Sequence, residues 1–400
     1  MSKRREGDPF MRVRMPARRR PAKGVDGLMR GLEFSPFSRR GFLRAAIVAP
    51  SAAVLAACTK KVGQPSGDTG GGTSTGQLED TVAFYNWAAY LNPATRKAFE
   101  KQYDVDTTLD FFASNEELIN KLKAGAKGYD LIAPTGYAVD IMRKENLLLE
   151  LDHSRIPNKS NVDPRFLDLS FDPGNRFSMP KDWGTTGFGY LQKYVKEDMT
   201  TWADFFKLAP KYSGKYTVLD SSPEVIGGAL KMLGYGYNTT NKEEVDAAVD
   251  ELIKIKPHIG AITSSNYRQI MQRGDSYVAL GWNGDFFYVA AKQPSVKYVI
   301  PTEGTEYWVD TWSIPATAPH PNAAMEFINW VLTPENQARE TNYTYYASAV
   351  TGAREATDPA IANDPAIYPD ESVVDSLEAN DGNPEAFNLR NEAWTKFKSA

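Results

Sequence analysis

Short apolar runs alternate with amphipathic stretches from about Leu78 onward. Thr81-Val82-Ala83-Phe84-Tyr85 is rich in β-formers and ends at Asn86-Trp87. Asn92-Pro93 then supplies a capping side chain and a proline at the first helical position, so this stretch predicts strand, loop and helix. Asp106–Phe112 reads as a second strand. Ser114, with Glu117 three residues on, predicts a capping box for a helix running to Lys123. Residues 129–134 read as a third strand and 137–145 as the helix after it. Strands and helices alternating at this spacing predict a mostly parallel sheet covered on both faces, with ligands held at loops beyond the strand C-termini. The loops Trp87 to Tyr90 and Thr135 to Tyr137 lie at that end.

A second unit starts near Trp183-Gly184-Thr185-Thr186-Gly187-Phe188-Gly189-Tyr190, where three glycines let the chain cross closely between lobes. Segments 202–208 and 243–255 have helical periodicity, 216–219 and 276–281 read as strands, and 309–314 is a strand that returns the chain. Two lobes follow: 78–183 with 313–350 as the first and 184–312 as the second, with 351–400 packing on the second.

Ahead of this body, Ser38-Arg39-Arg40-Gly41-Phe42-Leu43-Arg44 places paired arginines before a weakly apolar stretch that ends Leu55-Ala56-Ala57-Cys58. This resembles a twin-arginine export signal joined to a lipobox. Small residues suit a signal peptidase, and the thiol of Cys58, the only cysteine, is expected to receive a diacylglyceryl group. Residues 1–57 are therefore read as an N-terminal extension and signal peptide, with Met29 as an alternative start. Residues 58–77, dense in Gly, Ser and Thr, form a flexible tether. The expected location is outside the cytoplasmic membrane, held to its outer face by lipid alone, since no later apolar run is long enough to span a bilayer.

Charge changes sign along the chain. The first 57 residues hold 13 Lys+Arg and 4 Asp+Glu, which leaves 33 Lys+Arg against 46 Asp+Glu in the body. An acidic body argues against nucleic acid, whose binding needs a basic footprint, and suits either a cationic ligand or simple solubility. One cysteine offers no disulfide framework. His153, His258 and His320 show no metal-ligand spacing, so neither metal nor cofactor is expected.

Several strand ends carry aromatics beside carboxylates: Trp87, Tyr90, Tyr137, Trp282, Trp308 and the pair Tyr345-Tyr346, with Glu224, Asp310 and Asp220. Any one of these rings is most simply a core residue. As a set they suit an extended alkyl amine, whose methylenes pack on aromatic faces. Each ring attracts an ammonium group by roughly 0.5 to 2 kcal/mol, and each carboxylate adds a charge-assisted hydrogen bond of roughly 1.5 to 3 kcal/mol. Two other chemistries compete with this one. Gly274-Asp275-Ser276 resembles an esterase nucleophile block but falls in a strand pattern, with no following histidine matched to an acidic partner. Adjacent tyrosines suit a ferric ion, around which the tryptophans have no role.

From Thr81 to about Asp370 the chain resembles the bacterial spermidine/putrescine-binding proteins. The landmarks are Phe84-Tyr85-Asn86-Trp87, Tyr129-Asp130-Leu131 with Tyr137 and Met142-Arg143-Lys144-Glu145, Trp183-Gly184-Thr185-Thr186-Gly187, residues 229–235, Trp282-Asn283-Gly284 and Trp308-Val309-Asp310. The resemblance implies an α/β fold of the type II periplasmic-binding class, in which two lobes with central mixed sheets are joined by a hinge. It further implies a monomeric, non-enzymatic solute-binding component of an ABC importer that delivers polyamine to a permease. Trp87, Tyr90, Thr135 and Tyr137 would line the first-lobe wall, Glu224 and Asp310 would meet ammonium groups, Trp282 and Trp308 would sandwich the alkyl chain, and Tyr346 would touch it. Four positions depart from the family. Ala88 and Ala89 replace a hydroxyl and a carboxylate, Ser221 replaces the acidic neighbour of Glu224, and Asn380 stands near a late glutamine. Asp182 and Asp220 are the candidates to replace the lost carboxylate. Another cationic metabolite or ferric iron is the alternative ligand.

Overall fold

The computed structural model describes residues 78–380 and 383–400; the arginine pair, Cys58 and the tether fall outside the described residues. Eleven strands form one continuous hydrogen-bonded arrangement among them: β1 (Thr81–Trp87), β2 (Asp106–Phe112), β3 (Leu131–Ile132), β4 (Ser178–Leu191), β5 (Tyr216–Val218), β6 (Ile259–Ile262), β7 (Val278–Trp282), β8 (Val296–Val299), β9 (Glu306–Ser313), β10 (Ala347–Ser348) and β11 (Glu378–Ala379). Their spatial order is β2-β1-β3-β9-β4-β7-β5-β6, with β8 and β10 beside β4 and β11 beside β9.

The sheet is mixed, as the resemblance implies, and not mostly parallel, as the alternation of strands and helices alone predicts. β1 pairs parallel with β2 and β3, β5 with β6 and β7, and β11 with β9, but β9 and β4 run antiparallel to each other, β9 antiparallel to β3, and β4 antiparallel to β7, β8 and β10. The reason is topological. β4 carries the chain from one apolar core to the other and β9 carries it back, so two strands lying side by side in opposite directions must pair antiparallel.

The two cores are separate. Phe84, Phe99, Ile132, Met142, Trp312 and Phe327 belong to the first, and Phe188, Trp202, Tyr216, Leu230, Tyr267 and Phe286 to the second. β4 contributes Met179 and Trp183 to one and Phe188 and Tyr190 to the other, and all 14 of its residues are buried. Val309 and Trp312 join the first core. The C-terminal segment is divided: Ala353, Ile361 and Ile367 pack into the first core, and Ala393, Trp394 and Phe397 into the second.

Local signals act as their chemistry demands. Asn92 Oδ1 accepts from Ala94 N at 2.8 Å to start the helix Pro93–Tyr103, and Ser114 Oγ accepts from Glu117 N at 3.1 Å to start Asn115–Lys123. Glu117 reaches back one residue further than a capping box requires, accepting from Ala113 N at 2.8 Å. No helix among the described residues is long and apolar enough to cross a membrane.

Candidate ligand-binding site

Tyr90, Trp308 and Tyr346 form a third apolar cluster apart from both cores, with Trp87 and Trp282 packed against it. Edge-to-face contacts hold it together: Trp308 and Tyr346 centroids lie 4.9 Å apart and Tyr90 and Tyr346 5.7 Å. These rings line a cleft of 440 Å³. Trp87, Tyr90, Thr135 and Tyr137 form one side, Ser221, Glu224 and Trp282 the other, and Trp308, Asp310 and Tyr346 complete it, so the structure brings all ten predicted ligand residues to one cavity. Gly184, opposite Trp308 in the β4–β9 ladder, makes room for the indole; a Cβ there would lie 2.4 Å from Trp308 Cζ2.

Each wall is fixed by its own hydrogen bonds. Trp87 Nε1 donates to Ala133 O at 2.9 Å. Asn115 Nδ2 donates to both Thr135 Oγ1 and Tyr137 Oη at 3.0 Å, and Tyr137 donates to Glu116 Oε1 at 3.2 Å. Ala88 and Ala89 face the cleft with methyl groups only, and Ala89 holds a left-handed φ of 57°.

Asp310 is the most constrained acid. Its Oδ2 accepts from the Tyr90 hydroxyl at 2.7 Å while its Oδ1 is buried without a hydrogen-bond partner. Tyr90 also hydrogen-bonds Asp182, which lies opposite Asp310 on β4. One phenolic proton thus faces two carboxylates. Burial, then the Asp182 charge, pushes the Asp310 carboxyl up to about 7, against the pull of Thr135, Tyr90 and Lys181. The ladder slips register between Pro180 and Asp182, leaving Lys181 as the extra residue of a bulge. That turns its ammonium onto Asp182 Oδ2 at 2.5 Å and over the Tyr90 ring at 3.6 Å. Asp182 does not line the cleft, so it backs the wall and does not replace the carboxylate missing at Ala89. Nor does Asp220, although at the cleft, stand free: Trp394 Nε1 at 3.3 Å and Lys398 Nζ at 3.1 Å hold it.

At another part of the cleft the Ser221 hydroxyl donates to Glu224, whose carboxyl is raised chiefly by burial. Four further acids line the cleft, Glu116, Glu117, Asp285 and Glu306, of which the last two are buried. Asp285 accepts from Tyr267 at 2.7 Å, Tyr346 at 3.0 Å and Arg268 at 3.2 Å. Glu306 lies buried at the start of β9, hydrogen-bonded by Tyr237. The sequence signal for Glu306 is alternation: residues 306, 308 and 310 share one face of the strand, and Trp308 and Asp310 are both expected ligand residues. Arg268, the one basic lining residue, is tied to Asp285.

The competing chemistries lose their geometry here. Tyr345 stacks on Phe287 at 5.4 Å outside the cleft lining, while Tyr346 turns inward, so the two phenols do not converge. Ser276 is buried with its hydroxyl against Lys215 O and Val278 O, and Asp275 pairs with Arg273. Asn380 lies beside a smaller 70 Å³ cavity behind Trp308, not in the main cleft.

Because Asp310 in the folded state keeps a proton that the unfolded chain releases near pH 4, ligand-free stability falls as pH rises from about 4 through 7. A cation needs the charged carboxylate, so affinity changes in the opposite sense. The ligand-induced rise in Tm is expected to be larger at pH 7.5 than at pH 5.5 in thermal denaturation; a rise that is flat or reversed across that interval rules out this coupling.

An aromatic cleft with convergent carboxylates, set between two α/β cores and crossed by two antiparallel strands, is the construction of a solute-binding protein of the type II periplasmic-binding fold. The chain belongs to the bacterial extracellular solute-binding protein family, whose profile matches residues 94–369. It is 34% identical over 332 residues to the spermidine/putrescine-binding periplasmic protein of Escherichia coli K12, covering 82% of this chain and 95% of that one. With the putrescine-binding periplasmic protein PotF of the same strain it shares 33% identity over 342 residues, covering 80% and 92%. The solved spermidine/putrescine ABC transporter substrate-binding protein PotD of Streptococcus pneumoniae superposes with a TM-score of 0.70 at 31% identity, covering 80% of this chain and 99% of that one.

Proposed function

We propose that this protein captures a polyamine of the putrescine/spermidine class outside the cytoplasmic membrane and delivers it to the permease of an ABC importer, without catalysing a reaction. The observation that carries this reading is the juxtaposition of the Tyr90–Trp308–Tyr346 cluster with Asp310, whose Oδ1 has no hydrogen-bond partner. Rings pack the alkyl chain and the carboxylate takes an ammonium group, a pairing that a neutral or anionic solute does not use. The names of the relatives support the same class. β4 and β9 serve as the crossovers of a hinge between two lobes, and the protein acts as a monomer.

The deciding experiment is a calorimetric or thermal-shift titration of purified protein with putrescine, spermidine, spermine and unrelated cationic metabolites. A ligand that binds only the folded state raises Tm by mass action. Polyamines are expected to give the largest shifts, and a larger shift with an unrelated cationic metabolite rejects the polyamine assignment.

Export and anchoring are part of the same reading. Cys58→Ser is expected to yield an exported protein without lipid, and replacing Arg39 and Arg40 by lysine is expected to retain the precursor in the cytoplasm. Cell fractionation with mass spectrometry checks both; a Cys58→Ser protein that still carries lipid shows that the anchor lies elsewhere.

A further inference from the structure

We infer that Glu306 is a further ligand residue of the cleft, joining Glu224 in holding the ammonium group at the opposite end of an alkyl polyamine from the one that meets Asp310. The inference rests on the polyamine reading and adds to it one residue, Glu306.

Glu306, Trp308 and Asp310 alternate along β9 and all line the cleft. At roughly 3.3 Å per residue the two acids lie about 13 Å apart along the strand, with the Trp308 ring between them as a platform for methylenes. Glu306 is only 2% exposed. Both of its hydrogen bonds, from Tyr237 Oη and from Thr186 Oγ1 at 3.4 Å, fall on Oε2, so Oε1 is held in place with no partner.

Glu224 approaches from the helix Ser222–Met232, and its charge adds to burial in pushing the Glu306 carboxyl up to about 8. Among the described residues neither acid forms an ion pair with a basic side chain. The buried Arg390 guanidinium favours the charged form of Glu306, donates to Tyr237 O at 2.9 Å and Asn380 Oδ1 at 3.4 Å, leaves its Nε without a partner and does not line the cleft. The other groups facing Glu306 are Tyr237, Tyr298 and Thr186, which are neutral. Two carboxylates that repel each other in a cleft, one with an open oxygen, are relieved by an external ammonium group.

Spermidine, whose terminal amines stand farther apart than those of putrescine, is the probe, and 1-aminobutane, with one ammonium, is its control. In calorimetric titrations at pH 7.5, Glu306→Gln is expected to weaken spermidine binding roughly ten- to hundred-fold while leaving 1-aminobutane within about three-fold of the parent. No loss, or an equal loss for both amines, overturns the inference, since the residue then acts only through the Tyr237 network. The parent supplies a second measurement that needs no variant to fold. In two buffers of different ionisation enthalpy at pH 7, spermidine is expected to displace more protons than 1-aminobutane, and equal counts overturn the inference. A parent that binds both amines alongside an unaffected Glu306→Gln rejects the role of Glu306 alone, whereas a parent that binds neither rejects the polyamine reading with it.

Discussion

Asp310→Asn is expected to cost more affinity than any other single substitution in the cleft. The Asp310 side chain is 6% exposed, and a carboxylate desolvated to that degree offsets an ammonium group's own desolvation only while it carries charge. The amide keeps the shape and still accepts from Tyr90, but its free end presents either a weak neutral acceptor or a donor to the incoming cation. Losing one partner of a buried charge pair costs about 2 to 5 kcal/mol, or roughly thirty-fold to several thousand-fold in Kd. Glu224→Gln is expected to cost less, because Glu224 is half-buried and its neighbour Glu306 remains. Titrating the parent and both variants against putrescine and spermidine provides the comparison. An Asp310→Asn protein that binds each amine within three-fold of the parent removes Asp310 from the site.

The second large effect falls on stability. Lys181→Met is expected to lower the unfolding free energy by about 3 to 5 kcal/mol, the usual penalty for removing one member of a buried ion pair. Lys181 is fully buried and Asp182 nearly so, with 2.5 Å between Nζ and Oδ2. The same ammonium favours the charged forms of Asp310 and Glu340. Without it three buried acids lose their shared cation, so the variant is also expected to bind amines more weakly at pH 7, as Asp310 takes up its proton more readily. Adding Asp182→Asn to Lys181→Met is expected to recover most of the lost stability, because the uncompensated charge is gone. Urea denaturation reads both, with an unchanged m-value confirming that the same transition is compared. A single variant within about 1 kcal/mol of the parent makes the pair dispensable.

Ala89 stands where the resemblance implies a carboxylate. Asp182 and Asp220, the candidates to replace it, are each occupied otherwise, by Lys181 and by Lys398 with Trp394. A lining acid without an ion-pair partner stands instead at Glu306, a residue whose type is unremarkable in the sequence and whose position on the strand gives it meaning.

What the sequence by itself determined is what depends on local chemistry. Helix starts at Asn92 and Ser114 follow from side-chain oxygens meeting free backbone N–H groups, and the β-rich runs around Thr81 and Asp106 from residues that suit a pleated surface. The aromatic and acidic set was legible for a related reason: rings and carboxylates at strand ends have few structural uses in common, so their recurrence points to a ligand. Only the tertiary structure decided the rest. The antiparallel β4–β9 pair depends on the chain returning to its first core, which no local signal records. Whether an acid faces the cleft depends on strand register, where a shift of one residue changes its face. The bulge at Lys181 turns Lys181 and Asp182 into a buried pair behind Tyr90, and the strict alternation of β9 brings Glu306 into the cleft beside Trp308 and Asp310.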